Sequence, residues 1–482
     1  MEKIKIDYDT SARRGIICTS NDSNAFTAIR EEFSTKNENA SHARRAGARF
    51  VPDRLYAITP GRRFEIGLFD DIQKFCTKEQ IAKLEPTKEF QANYKATINA
   101  HAVRSLSLSA RDYQYDMLLA ALEQGRGIVE HGTGAGKTFE SAALIESYFR
   151  HSKSDPYFKC LVVVPNIGLV SQTFDEFEAF KTSFTTTKWT GNNDPDLTTN
   201  VVVANTGIIQ SRLAENEWIY DVDLLLVDEC HGLKRGNKIS KIISKIQTPH
   251  QYGLTGTIPI VPVDRWSVIG KLGPVIHQKK SKELRDEGHL TKCVAYMLQL
   301  SYKSVVPKVH GKDAWKTELD FIYTNEFRNK VITSLLAKFA EQNTLILVNH
   351  IAHGEELLEV FTKAGLNVKP FIEGAMPVPE RETIIDELEN STGNVVIAMA
   401  SIFSTGINIK QLHRIVISAG GKAFTRLVQG VGRGLRLHDS KDKLIIIDIV
   451  DMLHYAVVHA SERKSIYNQE KIPIITKEIV ES

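Results

Sequence analysis

Short apolar runs ending in glycine or a polar turn, each followed by a helical stretch, recur through most of this 482-residue chain. GIVEHG, CLVVVP, NVVVAN, DLLLVDE and QYGLTGT form one set; TLILVN, GNVVIAMA, RIVISA and KLIIIDIV form a second. Runs without polar alternation belong to strands covered on both faces, and intervening helical stretches such as 138–150 and 168–180 supply the crossovers of a parallel sheet. Two sets imply two α/β lobes. The first 105 or so residues read differently: they alternate at Ile4, Ile6 and Tyr8, turn at TSNDSN, and carry an amphipathic segment over 67–84 with Leu68, Ile72, Phe75, Cys76 and Ile81 at helical spacing. The expected architecture is α/β, two parallel-sheet lobes in tandem behind a small N-terminal α+β accessory domain. The expected boundaries are 1–105 for the accessory domain, 106–275 and 276–455 for the lobes, and 456–482 for a C-terminal tail.

A chain of this length has room for two to four domains with cores of their own. Lys and Arg number 61 against 58 Asp and Glu, a net +3, which excludes a histone-like or disordered acidic chain but leaves nucleic-acid binding open, because local charge decides that. Residues 1–105 hold 18 Lys and Arg against 14 Asp and Glu. Six arginines fall within 44–63, opposed only by Asp53. Such a patch is either a solvated face or a phosphate-contacting surface, with Arg44, Arg45, Arg62 and Arg63 as candidates. Five scattered cysteines without a CxxC pair argue for free thiols in a reducing compartment and against structural zinc. No apolar run approaches the ~18 residues of a membrane span, and the first residues lack an apolar leader core. The chain is expected to be soluble and intracellular, with no membrane partner.

The sharpest local feature is HGTGAGKT over 131–138, set between a strand and a helix. Gly132, Thr133, Gly134, Ala135 and Gly136 form an open turn whose backbone N–H groups can surround phosphate oxygens. Lys137 can reach the β- and γ-phosphates of ATP, and the Thr138 hydroxyl can ligate Mg²⁺. The usual pattern begins with glycine, and here His131 stands in its place. Downstream, Asp228 and Glu229 end a buried strand, where one carboxylate can hold Mg²⁺ through water and the other can take a proton from an attacking water. In QGVGRGLR (429–436), Arg433 and Arg436 share a helical face and could reach developing phosphate charge. If the two lobes face each other, ATP would sit between them.

Taken together, RDYQ (111–114), HGTGAGKT, VVVPNIGLVSQ (162–172), DECH (228–231), TGT (255–257), LILVNH (345–350), SIFSTGINI (401–409) and QGVGRGLR resemble a superfamily 2 helicase in content and order. SKELRDEGHLT, IFSTGINIK with QLHRIVIS, and FEIGLFDDIQKFC narrow the resemblance to UvsW-type phage recombination and repair helicases, which migrate DNA branches. The resemblance implies RecA-like lobes, with Gln114 at the adenine edge, Lys137 and Thr138 on triphosphate and Mg²⁺, Asp228 on the metal and Glu229 activating water. It also implies Gly406 beside the nucleotide, Arg433 and Arg436 as arginine fingers, and His231, Thr255, Thr257 and Gln429 coupling the ATP site to the nucleic-acid track. Thr206 and Thr405 would touch backbone phosphates. Many relatives carry an acidic residue where this chain has Asn408, so no ribose contact follows there.

The reading is therefore an ATP- and Mg²⁺-dependent DNA helicase or translocase that remodels forks, D-loops, R-loops or Holliday junctions. Branched or duplex DNA would be its partner, with room for other recombination and replication proteins, in the cytoplasm of a host cell if the chain is phage-encoded. The alternatives are an RNA helicase, a duplex translocase that never separates strands, and an ATP-gated clamp. The four tryptophans are as readily core residues as base wedges, and His413 and His438 read as structural.

Overall fold

A computed structural model describes residues 2–19, 23–98, 109–191, 194–303, 314–403, 409, 411–418 and 442–481. Within these, the chain divides into two compact units, one drawn from Met1–Gly132 and Gly136–Lys279, the other from Thr133–Ala135 and Lys280–Ser482.

The first unit opens with a four-stranded sheet in the order Arg63–Glu65, Arg14–Cys18, Glu2–Asp9, Ala82–Pro86. Its pairs are antiparallel except the last, which is parallel. Helices Asn24–Glu32, Phe69–Lys78 and Lys88–Tyr94 accompany it, and a small hairpin pairs Ser34–Lys36 with Arg54–Tyr56. The alternation noted at Ile4 and Ile6 is the buried face of its first strand. The amphipathic segment forms a shorter helix than its apolar spacing suggests, because the chain turns at Glu79–Gln80 and Ala82 starts a strand.

A seven-stranded sheet follows, all parallel, in the order Val275–Lys279, Arg126–His131, Gln251–Thr255, Leu224–Asp228, Cys160–Val164, Val201–Asn205, Thr186–Trp189. Every apolar run of the first set is one of these strands, and helices Lys137–His151 and Ile167–Ala179 lie where helical spacing places them. The lobe boundary expected at 275/276 falls inside the edge strand Val275–Lys279.

The accessory domain and this sheet share one core. Ile66, Leu68 and Phe69 belong to the same buried cluster as Val268, Ile269 and Leu272 of helix Pro262–Leu272. At that junction a Cβ on Gly67 would stand 2.0 Å from the Ile269 carbonyl oxygen, so only glycine permits the approach. Buried Arg126 bonds both sides, donating to the Asn93 carbonyl at 3.1 Å and the Lys271 carbonyl at 2.7 Å.

The second unit is a six-stranded parallel sheet in the order Val395–Met399, Thr344–Val348, Arg414–Ile417, Lys443–Asp451, Lys292–Ser301, Ile474–Val480. Residues 456–482, expected as a tail, are built into it: helix His454–Gln469 buries Arg463 and Tyr467 against Asp448, and Ile474–Val480 is the edge strand. Glu318 accepts from the backbone N–H of Tyr455 and Ala456, satisfying donors that the start of this helix leaves open. Among the described residues no helix is long and apolar enough to cross a membrane.

Candidate active site

The strands Arg126–His131, Gln251–Thr255, Leu224–Asp228 and Val201–Asn205 run in one direction, so their C-terminal ends share one edge of the sheet. The glycine-rich loop, Thr255, Asp228 with Glu229, and Thr206 all stand at that edge. Loop residues Gly134 and Gly136 have φ of +85° and +91°, the left-handed region that favours glycine. Lys137 and Thr138 open the helix, placing its free N–H groups and positive dipole end toward the loop.

His131 is fully buried and braces the loop from behind. Its Nδ1 lies 2.7 Å from Glu140 Oε1 and its Nε2 2.7 Å from His277 Nδ1. With a carboxylate at Nδ1, that nitrogen carries the proton, and Nε2 accepts from His277 Nδ1–H. Burial, reinforced by His131, holds the His277 pKa below its usual value, which favours the neutral ring this requires. The Tyr113 ring meets His131 edge-on at 5.8 Å, and Lys279 Nζ lies 5.4 Å over that ring. Gln114 is buried: its Oε1 accepts from the Arg111 N–H at 3.0 Å, and its Nε2 is 2.7 Å from where a Cβ on Gly136 would stand.

Lys137 Nζ reaches the His131 carbonyl at 3.3 Å and stands 4.0 Å from Glu229 Oε1. Glu229 adopts φ +47° and ψ +46°, left-handed backbone that costs a non-glycine residue about 1–2 kcal/mol. Glu229 Oε2 stands 3.2 Å from His231 Nδ1, which in turn lies 3.0 Å from Thr255 Oγ1. Thr255 already donates its one hydroxyl proton to the Thr257 carbonyl at 2.9 Å, so it accepts from His231, and Nδ1 carries the ring proton. Glu229 thus lies within ion-pair range of His231, from which hydrogen bonds run through Thr255 to Thr257. Burial raises the Cys230 thiol well above its ordinary pKa, making this residue a neutral packing group rather than a nucleophile.

Thr206 begins the helix after strand Val201–Asn205, and its hydroxyl donates to the Pro165 carbonyl at 3.2 Å. Of the N-terminal arginines, Arg44 is engaged by Asp53 at 2.6 Å and Arg63 by Asp9 at 2.5 Å, while Arg45 is exposed and Arg62 half-buried. Thr405, Gly406, Asn408, Gln429, Arg433, Arg436 and His438 lie outside the described residues. His413 is buried and takes the Asn343 N–H on Nδ1 at 3.2 Å. Trp189 is a core residue, Trp218 and Trp266 pack on that core, and Trp315 meets Tyr455 edge-on. Sequence reasoning passed over Glu140 and His277. A carboxylate inside the helical run FESAALIESYF was the available signal for the first; an edge-strand histidine carries no such signal.

Residues 107–260 match the family described as type III restriction enzyme, res subunit, and residues 328–438 match the helicase conserved C-terminal domain. Together with the two parallel sheets and the assembled motifs, these matches make the chain a superfamily 2 helicase, an ATP-hydrolysing motor enzyme. Among known proteins it is similar to the ATP-dependent DNA helicase uvsW of Enterobacteria phage T4, 24% identical over 529 aligned positions that take in 99% of both chains. It is also 24% identical to the putative ATP-dependent helicase IRC3 of Saccharomyces cerevisiae, over 73% of this chain and 52% of that one. In fold it resembles Mss116p solved with ssRNA and AMP-PNP, with a TM-score of 0.57, 15% identity, and coverage of 80% of this chain and 76% of the other. The two sheets are RecA-like lobes.

Proposed function

We propose that this motor is an ATP- and Mg²⁺-dependent DNA helicase or translocase that remodels branched DNA in phage replication, recombination and repair, in the host cytoplasm. One observation carries the DNA reading: the likeness to a named DNA helicase runs the full length of both chains, accessory domain included, rather than stopping at the motor.

In this reading the loop from Gly132 to Gly136 holds the phosphates through backbone N–H groups, and Lys137 neutralises the β- and γ-phosphates. Glu229 orients the attacking water and accepts its proton; its strained backbone turns the carboxylate toward the Lys137 side of the loop. Thr138 and Asp228 offer a hydroxyl and a carboxylate, hard oxygens that would suit Mg²⁺. Among the described residues no group of three or more His, Cys, Asp or Glu is placed to hold a metal ion. Bound Mg²⁺ would neutralise charge on the phosphates. The chain Glu229–His231–Thr255–Thr257 is the path by which hydrolysis would be felt beyond the ATP site, and Thr206 would rest on a backbone phosphate. Gln114 beside the loop would read the adenine. The roles of Arg433, Arg436, Gln429, Thr405 and Gly406 follow from the resemblance. In the N-terminal patch, DNA contact would fall first to Arg45 and Arg62, since Asp53 and Asp9 already engage Arg44 and Arg63.

The test is Mg²⁺-dependent ATP hydrolysis measured alone and with single strands, linear duplex, forks, four-way junctions and structured RNA. Strongest stimulation by forks and junctions is expected. Stimulation by RNA alone would keep the motor and overturn the substrate.

A further inference from the structure

At the seam between the accessory domain and the first lobe lies a cavity of about 300 Å³. One wall comes from the accessory domain, a second from the segment following DECH, and a third from helix Pro262–Leu272, which follows TGT. Its lining holds five cations, Arg14, Arg63, Arg235, Lys241 and Lys271, against one carboxylate, Glu65. Glu65 is shared between Arg14 at 3.3 Å and Lys271 at 3.9 Å, and Asp9 engages Arg63 from outside the cavity. Lys271 also donates to the Ser267 carbonyl and hydroxyl at 3.2 and 3.1 Å. The side chains of Arg235 and Lys241 have no ion pair or hydrogen bond among the described residues.

A second observation points to a missing partner. Ser240 lines the same cavity at 1% exposure, and its Oγ is buried without a hydrogen-bond partner. Leaving such a hydroxyl unsatisfied is unfavourable, a penalty that an oxygen-rich ligand would remove. Trp266 adds an aromatic surface to the wall. Surplus positive charge, an unsatisfied hydroxyl and an aromatic ring are together what a nucleotide unit requires. The volume lies at the small end of ligand cavities, so it suits one unpaired nucleotide and is too small for a duplex.

We propose that this cavity seats one nucleotide of an unpaired DNA strand, its phosphodiester on Arg235, Lys241 and the Ser240 hydroxyl and its base against Trp266. The assignment rests on the DNA reading above. It places a strand contact outside the ATP edge, on elements that begin at the DECH and TGT motifs.

The experiment is salt-dependent binding of a fluorescein-labelled oligothymidine to the full chain, wild type against Arg235→Ala/Lys241→Ala, with dAMP titrated in parallel. Both side chains are at the surface, so the double variant should melt with the wild type. Its log–log salt slope should fall by about 0.7 for each phosphate lost, and affinity should drop roughly tenfold at moderate salt. The charge-preserving pair Arg235→Lys/Lys241→Arg should keep the wild-type slope. An unchanged slope in the alanine variant, with wild-type binding intact, overturns the cavity assignment alone. A wild type that binds no strand overturns the DNA reading and the assignment with it. Loss of dAMP binding with equal strand binding would make the cavity a free-nucleotide site and overturn the strand assignment.

Discussion

Lys137 and Glu229 face each other across the loop at 4.0 Å, a cation and a carboxylate. Substituting Lys137→Ala removes the charge meant for the phosphates. ATP turnover should fall at least about 100-fold, while strand affinity, measured by fluorescence anisotropy, stays near wild type; a collapse of strand affinity would contradict the placement of Lys137 at the ATP edge. His131 is a different case. It departs from the usual glycine, and the structure uses its ring as a buried brace between Glu140 and His277. Glu140→Ala leaves that histidine pair without its carboxylate in a closed space. Urea unfolding should show a loss of about 1–3 kcal/mol, the cost of a buried donor left without its acceptor, and a change within experimental error would mean the brace is not under load. The glycine-rich loop was legible as a strand-to-helix turn, because closely spaced glycines between an apolar run and a helical run mark one. Glu140 was not: the carboxylate in its helical run was visible, but its pairing with His131, and that of His131 with His277 on a neighbouring strand, was not.

The apolar runs could be read as strands because a parallel sheet covered on both faces tolerates no polar alternation, and Val162 and Leu225 are indeed buried. The edge strand Ile474–Val480 was harder: five of its seven residues are exposed, so IITKEIV has the texture of a tail. At the opposite end of the first lobe's strands from the ATP edge, His250 lies 3.0 Å from the Tyr148 hydroxyl, and Tyr252 donates to the Ala121 carbonyl at 2.7 Å. Burial lowers the His250 pKa from 6.5 to about 4. The unfolded chain therefore binds a proton between those values that the folded chain refuses. The stabilisation is complete above pH 6.5, drains away as pH falls toward 4, and is then constant, a loss on the order of 3 kcal/mol. Urea unfolding at pH 7 and pH 5 should show a smaller drop for His250→Gln than for wild type; equal drops would assign the acid sensitivity to other groups.

The accessory domain was legible as a separate texture, but its attachment was not. Ile66, Leu68 and Phe69 look like any amphipathic face, and the sequence does not say that their partners lie some 200 residues on, at Val268 and Ile269. Nor could the pairing of Arg63 with Asp9 be seen from the arginine count. Because the cores are continuous, a chain beginning at residue 96 should expose Val268, Ile269 and Leu272 and fail to give a soluble motor. Calorimetry of the whole protein should show the accessory domain and first lobe melting in one transition; a stable, monodisperse fragment would show the domains to be independent.

Gly67, seated against the Ile269 carbonyl, acts as a key cut to fit its shaft. Nothing can slip at such a joint without unseating both parts, so whatever displacement the first lobe makes in a cycle of hydrolysis, the accessory domain makes as well. A motor coupled in this way has no lost motion between engine and tool, and the tool cannot be exchanged without recutting the key.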